Sequence, residues 1–134
     1  MTLTFVDSGV LISALRGEPE IARRAFEILD DPDRVFASSD FVRLELMPKP
    51  KYFKRLDEVN FYDEFFTSVS NWASADIELV RAAFTEGERY GLSALDSLHV
   101  AAAIKLGAKA FVTSEKIKSA IHRFTEIPVI TIQA

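Results

Sequence analysis

The sequence contains no cysteine and only two histidines, His99 and His122. Disulfides, thiolate zinc sites and cysteine nucleophiles are therefore excluded, and two histidines are too few for a histidine-rich metal site. Glycine and proline are also sparse, at five residues each, and no repeat, low-complexity tract or linker is visible. What remains is a chain of 134 residues with 49% hydrophobic and 27% charged residues. This is the size and composition of one globular domain covering residues 1–134.

Long apolar runs are missing as well. No stretch approaches the ~18 apolar residues of a membrane span, and the first apolar segment contains Asp7 and follows no basic region, unlike a secretory signal. The net charge of −4 argues against a protein that coats nucleic acid by bulk charge. The net charge does not exclude an enzyme that binds nucleic acid at one site, because bound metal ions reverse the local electrostatic field of an acidic site. We expect a cytoplasmic protein that does not associate with membranes.

The apolar periodicity alternates between strand and helix patterns along the chain. We predict a helix carrying Glu45 and ended by Pro48 and Pro50, followed by two short helices within residues 51–75. Strands are predicted at 3–7, 34–37, 68–72, 109–113 and 128–132. The other helices are predicted at 8–15, 19–29, 76–90, 93–106 and 115–122. Such alternation predicts a three-layer α/β/α sandwich around a mainly parallel sheet of four or five strands. The last strand begins at Pro128, which favours a sheet edge.

Glu45 occupies an unusual place on its predicted helix. On a helical wheel it projects from the middle of an apolar arc formed by Leu44, Phe41, Val42 and Leu46, whereas the other side of the helix carries Asp40 and Arg43. A carboxylate in that position must be paired, protonated or bound to a metal, because burying it alone is very unfavourable. The alternative is a salt bridge to an arginine, or a helix end turned toward solvent.

Asp96 lies in the first turn of a helix that is apolar almost all round and rich in alanine, which predicts a buried helix. Asp96 is a candidate metal ligand, but its spacing from Ser93 also fits a capping box, and an acid suits this end of the helix dipole. His99, among apolar neighbours of the same helix, is interpreted as a packed rather than a catalytic histidine.

Asp7 and Glu115 each follow an apolar, strand-like run and are predicted to stand at the carboxyl ends of parallel strands, where open α/β sheets bind ligands. Either could instead be a helix-start residue. Together with Glu45 and Asp96, they would place four acids at one sheet edge, and their repulsion calls for a cation. Hard oxygen ligands suit Mg²⁺ or Mn²⁺ better than zinc.

These segments resemble the PIN-domain family, and within it the single-domain VapC-like toxin ribonucleases, over nearly the whole chain. Each short motif is weak by itself, but the order and spacing of the four are specific. The four motifs are Phe5-Val-Asp7-Ser8, Arg43-Leu-Glu45-Leu, Leu92-Ser-Ala-Leu-Asp96-Ser-Leu-His-Val-Ala-Ala-Ala and Phe111-Val-Thr113-Ser114-Glu115-Lys116.

The resemblance implies a metal-dependent endoribonuclease that cleaves single-stranded RNA, the toxin of a toxin–antitoxin pair, with a cognate antitoxin and a homodimer as expected assemblies. Mg²⁺ or Mn²⁺ held by Asp7, Glu45, Asp96 and Glu115 would activate a water. Ser8 and Thr113 are expected to orient these carboxylates. Candidates for substrate contact form one basic cluster before residue 56 and a second after Glu115, and the alternative for both is a solvated helix face. These candidates are Lys49, Lys51, Lys54, Arg55 and Lys116.

Two positions depart from the family pattern. Glu115 stands where Asp is usual, and Gly9 stands where Ser or Asn is frequent. These departures motivate the alternative of a catalytically inert PIN-like scaffold that binds RNA or a protein partner. A phosphatase or phospho-receiver fits poorly, because Asp7-Ser8-Gly9 lacks a second nearby acid.

Overall fold

The computed structural model describes residues 1–133 and contains a five-stranded sheet. All neighbouring strands pair in parallel, in the order β3-β2-β1-β4-β5. The strands are β1 (Thr2–Val6), β2 (Arg34–Ser39), β3 (Asn71–Ala73), β4 (Ala110–Thr113) and β5 (Val129–Thr131). The parallel sheet is confirmed, with the last strand at its edge as Pro128 indicates.

Helices connect these strands. They are α1 (Ser8–Arg16), α2 (Pro19–Leu29), α3 (Asp40–Leu46), α4 (Pro48–Tyr52), α5 (Leu56–Ser68), α6 (Ile77–Tyr90) and α7 (Ala94–Lys105), with a 3₁₀ helix at Ala120–Arg123. The β1–β2 and β3–β4 connections run in opposite directions across the sheet. Right-handed crossovers therefore place α1 and α2 on one face and α6 and α7 on the other, which makes the three layers. Within residues 1–133, no helix has the length and apolarity needed to cross a bilayer.

The two central strands are buried on both sides. Phe5, Val6, Phe111 and Val112 have essentially no exposed surface, and the rings of Phe5 and Phe111 stack at 5.4 Å between centroids. Continuous burial of this kind is what a parallel sheet covered on both faces requires. It anchors the strand ends that carry the candidate acids.

The strand order also creates a switch point. From β1 the chain moves to β2 on one side, whereas from β4 it moves to β5 on the other. Ligands of open α/β sheets bind where adjacent strands diverge in this way, beyond their carboxyl ends. The backbone N–H of Asp7 donates to the carbonyl of Val112 at 3.0 Å and so fixes Asp7 at this crevice.

Three predicted elements differ in the structure. The helix expected at 115–122 is wrong, since only the 3₁₀ turn at its end forms. The N–H of Glu115 donates to Thr113 Oγ1 and its carbonyl accepts from Thr131 Oγ1, so side chains take the place of helical bonds. In the middle segment, the strand begins only at Asn71 and α5 is a long helix of 13 residues. Pro48 does not merely end a helix but begins α4, since proline is favoured in a first turn.

Asp40 ties the start of α3 to the edge of the sheet. Its carboxylate accepts from Trp72 Nε1 and from the N–H of Ala75, both at 2.8 Å. Helix α3 carries Glu45, so these two bonds help to position a candidate site residue.

Replacement of Asp40 by Ala leaves both donors without their partner and should lower the free energy of unfolding by about 1–3 kcal/mol. Urea denaturation followed by the fluorescence of Trp72, the single tryptophan, measures the loss and reports the altered indole environment. Asp63→Ala, at an exposed position on α5, is the matched control. Equal stabilities of the two variants would contradict the assigned role of Asp40.

Candidate active site

Asp7 is the most deeply buried of the four candidate acids, with 7% of its surface exposed. It follows β1 and caps α1, and its Oδ1 accepts from the N–H of Val10 at 3.3 Å. Burial raises its pKa from 3.8 to about 6. A hydrogen bond from Thr113, the electrostatic effect of His99 and the Val10 bond oppose this rise, and the charge of Asp96 adds to it. The structure thus keeps an acid where its ionised form is costly.

Glu45 is held by a histidine of another helix. The Nε2 of His99, on α7, lies 2.5 Å from Glu45 Oε1. Because a carboxylate only accepts, this nitrogen carries the proton, and the buried Nδ1 has no partner within the described chain. Burial opposes ionisation of Glu45, but His99 and the hydroxyl of Ser8 outweigh it and lower the pKa of the carboxyl below its usual value.

The prediction that Leu44 belongs to the buried face around Glu45 is wrong. Helix α3 buries Val42 and Leu46, whereas Leu44 is 65% exposed. Glu45 therefore lies beside the core rather than within it, with 28% of its side chain exposed. Its position at the rim lets it face both the acidic crevice and solvent.

The structure confirms the capping interpretation of Asp96, whereas its role as a metal ligand stays a prediction. Its N–H donates to Ser93 Oγ at 3.3 Å, so the N-terminal cap of α7 is present. The carboxylate is half-buried, and its pKa is raised mainly by burial and further by the charges of Glu115 and Glu45, against the effect of His99. The cap thus fixes the backbone while the side chain lies in the field of the other acids.

Two hydroxyls link the acids to the scaffold. Thr113, fully buried at the end of β4, bonds to Asp7 and accepts from the N–H of Glu115 at 3.1 Å. Ser8 bonds to Glu45. The Glu115 side chain is exposed, and the hydroxyl of Ser119 donates to its Oε2 at 3.3 Å. Both hydroxyls selected from the sequence therefore contact candidate acids.

The four candidate acids offer carboxylate oxygens, which are the ligands that hard divalent cations prefer. Their negative charges repel one another, and a bound cation would offset this repulsion. Among residues 1–133, however, no three Asp, Glu or His side chains are placed to hold a metal ion as they stand. A metal site built from these groups requires their side chains to turn toward a common point. For Glu45 this means leaving or sharing its hydrogen bond to His99.

The predicted substrate contacts separate into groups. Lys49 and Arg55 line a small cavity that Glu45 also borders, whereas Lys51 and Lys54 are exposed outside its wall. Lys116 is exposed next to Glu115 in the loop after β4. Arg55 also lines a neighbouring pocket together with Lys54, and contact of these residues with a substrate stays a prediction.

The family model of the PIN domain matches residues 4–122. The chain belongs to the PIN-domain family. The family resemblance predicted from the four motifs is thereby confirmed, and all four candidate acids lie within the matched segment.

Solved structures share this PIN fold. A chain of VapBC2 from Rickettsia felis bound to a promoter DNA fragment is 20% identical, with a TM-score of 0.69 and coverage of 96% of this chain and 98% of that one. A toxin–antitoxin complex from Klebsiella pneumoniae gives 19% identity, a TM-score of 0.68 and coverage of 96% and 97%. A chain of DNA-bound VapBC from Salmonella typhimurium is 17% identical, with a TM-score of 0.69 and coverage of 98% of this chain and 99% of that one. No curated protein sequence gives a significant match.

Two features of the site escaped the sequence analysis. His99 is buried as expected, at 3% exposure, but its bond to Glu45 was not foreseen, because the two residues lie on different helices 54 positions apart. The other feature concerns Gly9. A Cβ at this position would lie 1.9 Å from Ser114 Oγ, so the glycine makes room for the Ser114 hydroxyl.

Replacement of Asp7 by Asn should stabilise the metal-free protein by on the order of 1–3 kcal/mol at pH 7.5, because the desolvation of a charge disappears while the helix cap is retained. The raised pKa of Asp7 contributes stability that is complete below pH 3.8 and is lost as the pH rises through about 6. The advantage of the Asp7→Asn variant should therefore shrink as the pH falls from 6 toward 4.

Urea unfolding in EDTA at several pH values tests this expectation. Asp63→Asn, at an exposed position, controls for the loss of one negative charge. An Asp7→Asn variant that is less stable than the wild type at pH 7.5 would show that burial of this carboxylate is not the dominant effect.

Proposed function

We propose that this PIN-domain protein is a divalent-metal-dependent endoribonuclease that cleaves single-stranded RNA. The observation that carries the proposal is the grouping of the four acids around Asp96: the charges of Glu115 and Glu45 raise the pKa of Asp96, whose own charge raises the pKa of Asp7. Asp7 is buried and Asp96 is half-buried in this group, and a bound cation would offset the repulsion among the four acids. Perturbed acids in a crevice are typical of catalytic sites.

Mg²⁺ or Mn²⁺ bound by these carboxylates would supply an activated water and would stabilise negative charge on a phosphodiester. The protein's own contribution is positioning. Thr113 holds Asp7, Ser8 and His99 hold Glu45, and the cap at Ser93 holds the backbone of Asp96. No serine, cysteine or histidine nucleophile is needed for this chemistry.

An inert PIN scaffold is the second candidate function. Its support is the hydrogen bond between His99 and Glu45, which occupies one candidate ligand, together with the spread positions of the acids within residues 1–133. A scaffold would bind RNA or a protein without binding metal. The two functions therefore differ in a directly measurable property.

The wild-type protein should cleave end-labelled single-stranded RNA with Mg²⁺ or Mn²⁺ and not with EDTA. Asp96→Asn should reduce the rate on the order of 100-fold or more, since even partners that only orient a metal ligand are worth 10–100-fold. Cleavage assays and metal titrations by calorimetry measure both effects.

Purification of the variant beside the wild type controls for a contaminating nuclease. Cleavage that persists unchanged in Asp96→Asn would contradict the assignment of this residue. A wild-type protein that neither binds metal nor cuts RNA would favour the inert scaffold.

We also propose that the protein is a toxin that acts in the cytoplasm, where RNA is made and translated, and that a cognate antitoxin binds it. The support is the shared PIN fold with chains of VapBC2 from Rickettsia felis and of a Klebsiella pneumoniae toxin–antitoxin complex. Unrestrained cleavage of cellular RNA would damage the cell that makes the enzyme. A dedicated inhibitor follows from that hazard.

A homodimer is the further assembly that we propose. An apolar groove of about 470 Å³ lies between α6 and α7 and reaches Phe41 on α3. Phe84, in its wall, is 75% exposed, and Leu44 and Leu95 continue the apolar surface along their helices. Exposed apolar patches of this kind are typical of protein interfaces.

The wild-type protein should therefore have twice the 15.0 kDa chain mass in light scattering coupled to size exclusion. Phe84→Glu should shift it to the monomer mass, because it places a charge in the apolar contact. The Phe84→Glu variant should still fold and melt cooperatively by circular dichroism, because the side chain of Phe84 is 75% exposed and is not part of the core. A dimer that survives this substitution would contradict an interface at this groove.

A further inference from the structure

The small cavity lined by Lys49 and Arg55 adjoins the acidic crevice. It has a volume of about 90 Å³ and shares the side chain of Glu45 with the candidate active site. Helices α1, α3, α4 and α5 and the turn before α5 form its wall. The charged and aromatic groups around it are Arg16, Glu45, Lys49, Arg55, Glu58 and Tyr62.

The charges of this cavity do not cancel. Arg16 is paired with Glu58 through a hydrogen bond of 2.9 Å from its Nε, and Glu45 is engaged with His99. Within residues 1–133, Lys49 and Arg55 form no ion pair. Two free cations of the described chain therefore face the space next to the acids, in a protein whose net charge is −4.

A strained turn places these two cations together. Lys54 adopts a φ of 54°, which non-glycine residues rarely do. The turn is closed by the N–H of Arg55, which donates to the carbonyl of Pro50 at 2.8 Å. As a result Arg55 returns to the cavity lined by Lys49, whereas Lys51 and Lys54 do not line it. Backbone strain that is kept in a folded protein often marks a functional site.

Exposed aromatic rings stand beside the cations. The guanidinium of Arg55 lies 5.0 Å from the ring centroid of Phe53, and Tyr52 packs edge-on against Phe53. Both rings are more than half exposed. Cations combined with exposed aromatic rings are the usual means of holding an unpaired nucleic-acid strand, by phosphate contact and base stacking.

We propose that this cavity and the neighbouring ring of Phe53 together form a subsite for the nucleotide that flanks the scissile bond of single-stranded RNA. Lys49 and Arg55 contact its phosphate in the cavity, and its base stacks outside the cavity on the exposed ring of Phe53. The subsite rests on the proposed ribonuclease function, because it assigns the neighbouring crevice to the phosphodiester that is cut. A duplex is disfavoured as the ligand, since stacking on Phe53 requires an unpaired base.

Binding of RNA, rather than its cleavage, tests the subsite. Fluorescence anisotropy of a labelled single-stranded RNA is measured with Asp96→Asn protein in Mg²⁺, so that the strand stays intact. On this background, Lys49→Gln with Arg55→Gln is compared with Lys51→Gln with Lys54→Asn. Both pairs remove two positive charges, and Asn tolerates the left-handed backbone at position 54.

The cavity pair should weaken binding by about 10-fold or more and reduce the slope of log affinity against log salt by about 0.7 per lost phosphate contact. The outer pair should change the affinity by less than about 2-fold. Phe53→Ala should weaken single-strand binding by about 5-fold or more through lost stacking, and should leave the salt slope unchanged.

Equal weakening by both pairs would indicate bulk charge and overturn the subsite, as would unchanged binding in the cavity pair or equal affinity for a duplex of the same sequence. Circular dichroism identifies a variant that fails to fold, and the single variant Arg55→Gln then replaces it. Cleavage by the wild-type protein is measured separately. RNA cleavage with no effect of the cavity pair therefore refutes the subsite alone, whereas absence of both cleavage and RNA binding refutes the subsite and the ribonuclease together.

Discussion

The burial of the Asp7 carboxylate at the switch point between β1 and β4 is the constraint around which the site is organised. Its position follows from the strand order and from the apolar residues of the two central strands, which leave little freedom at their ends. A buried acid is costly to ionise, and its raised pKa measures that cost. The bonds from Thr113 and Val10 reduce the cost without removing it. A cation bound beside this carboxylate would offset the charge that burial makes costly.

The protein positions two further acids, Glu45 and Asp96, near the buried Asp7, and it does so by different interactions. Glu45 is stabilised by His99 and Ser8, and its pKa falls. Asp96 has its backbone fixed by the Ser93 cap, while its carboxylate stays under the influence of neighbouring negative charges and its pKa rises. Loading of a cation would relieve the repulsion at Asp96 but would compete with the His99 bond at Glu45. The balance between these two effects would set the affinity of the site for a metal ion.

Sequence reasoning recovered the parts of the molecule that depend on local pattern. The parallel sheet, the edge position of β5 and the carboxyl-end placement of Asp7 all follow from apolar runs and turn residues. It failed where side chains of distant segments intervene. Thr131 and Thr113 form hydrogen bonds with the backbone of Glu115 in place of a helix. Of the apolar arc predicted on α3, packing buries Val42 and Leu46 but leaves Leu44 exposed. The His99–Glu45 bond joins residues 54 apart in sequence, which no periodicity could indicate.

The location of positive charge decides how an acidic protein could hold RNA. At physiological ionic strength, charges interact over only about 8 Å, so the net charge of −4 matters less than the groups beside the scissile phosphate. The turn at Lys54 brings Arg55 back to the cavity that Lys49 of α4 lines, and Glu45 lines the same cavity. In the proposed complex, a phosphate in the crevice would need a bound cation, whereas its neighbour along the strand would meet cations that the chain itself provides. Adjacent phosphates would thus be held by different means, and this difference would fix the register of the strand relative to the acids.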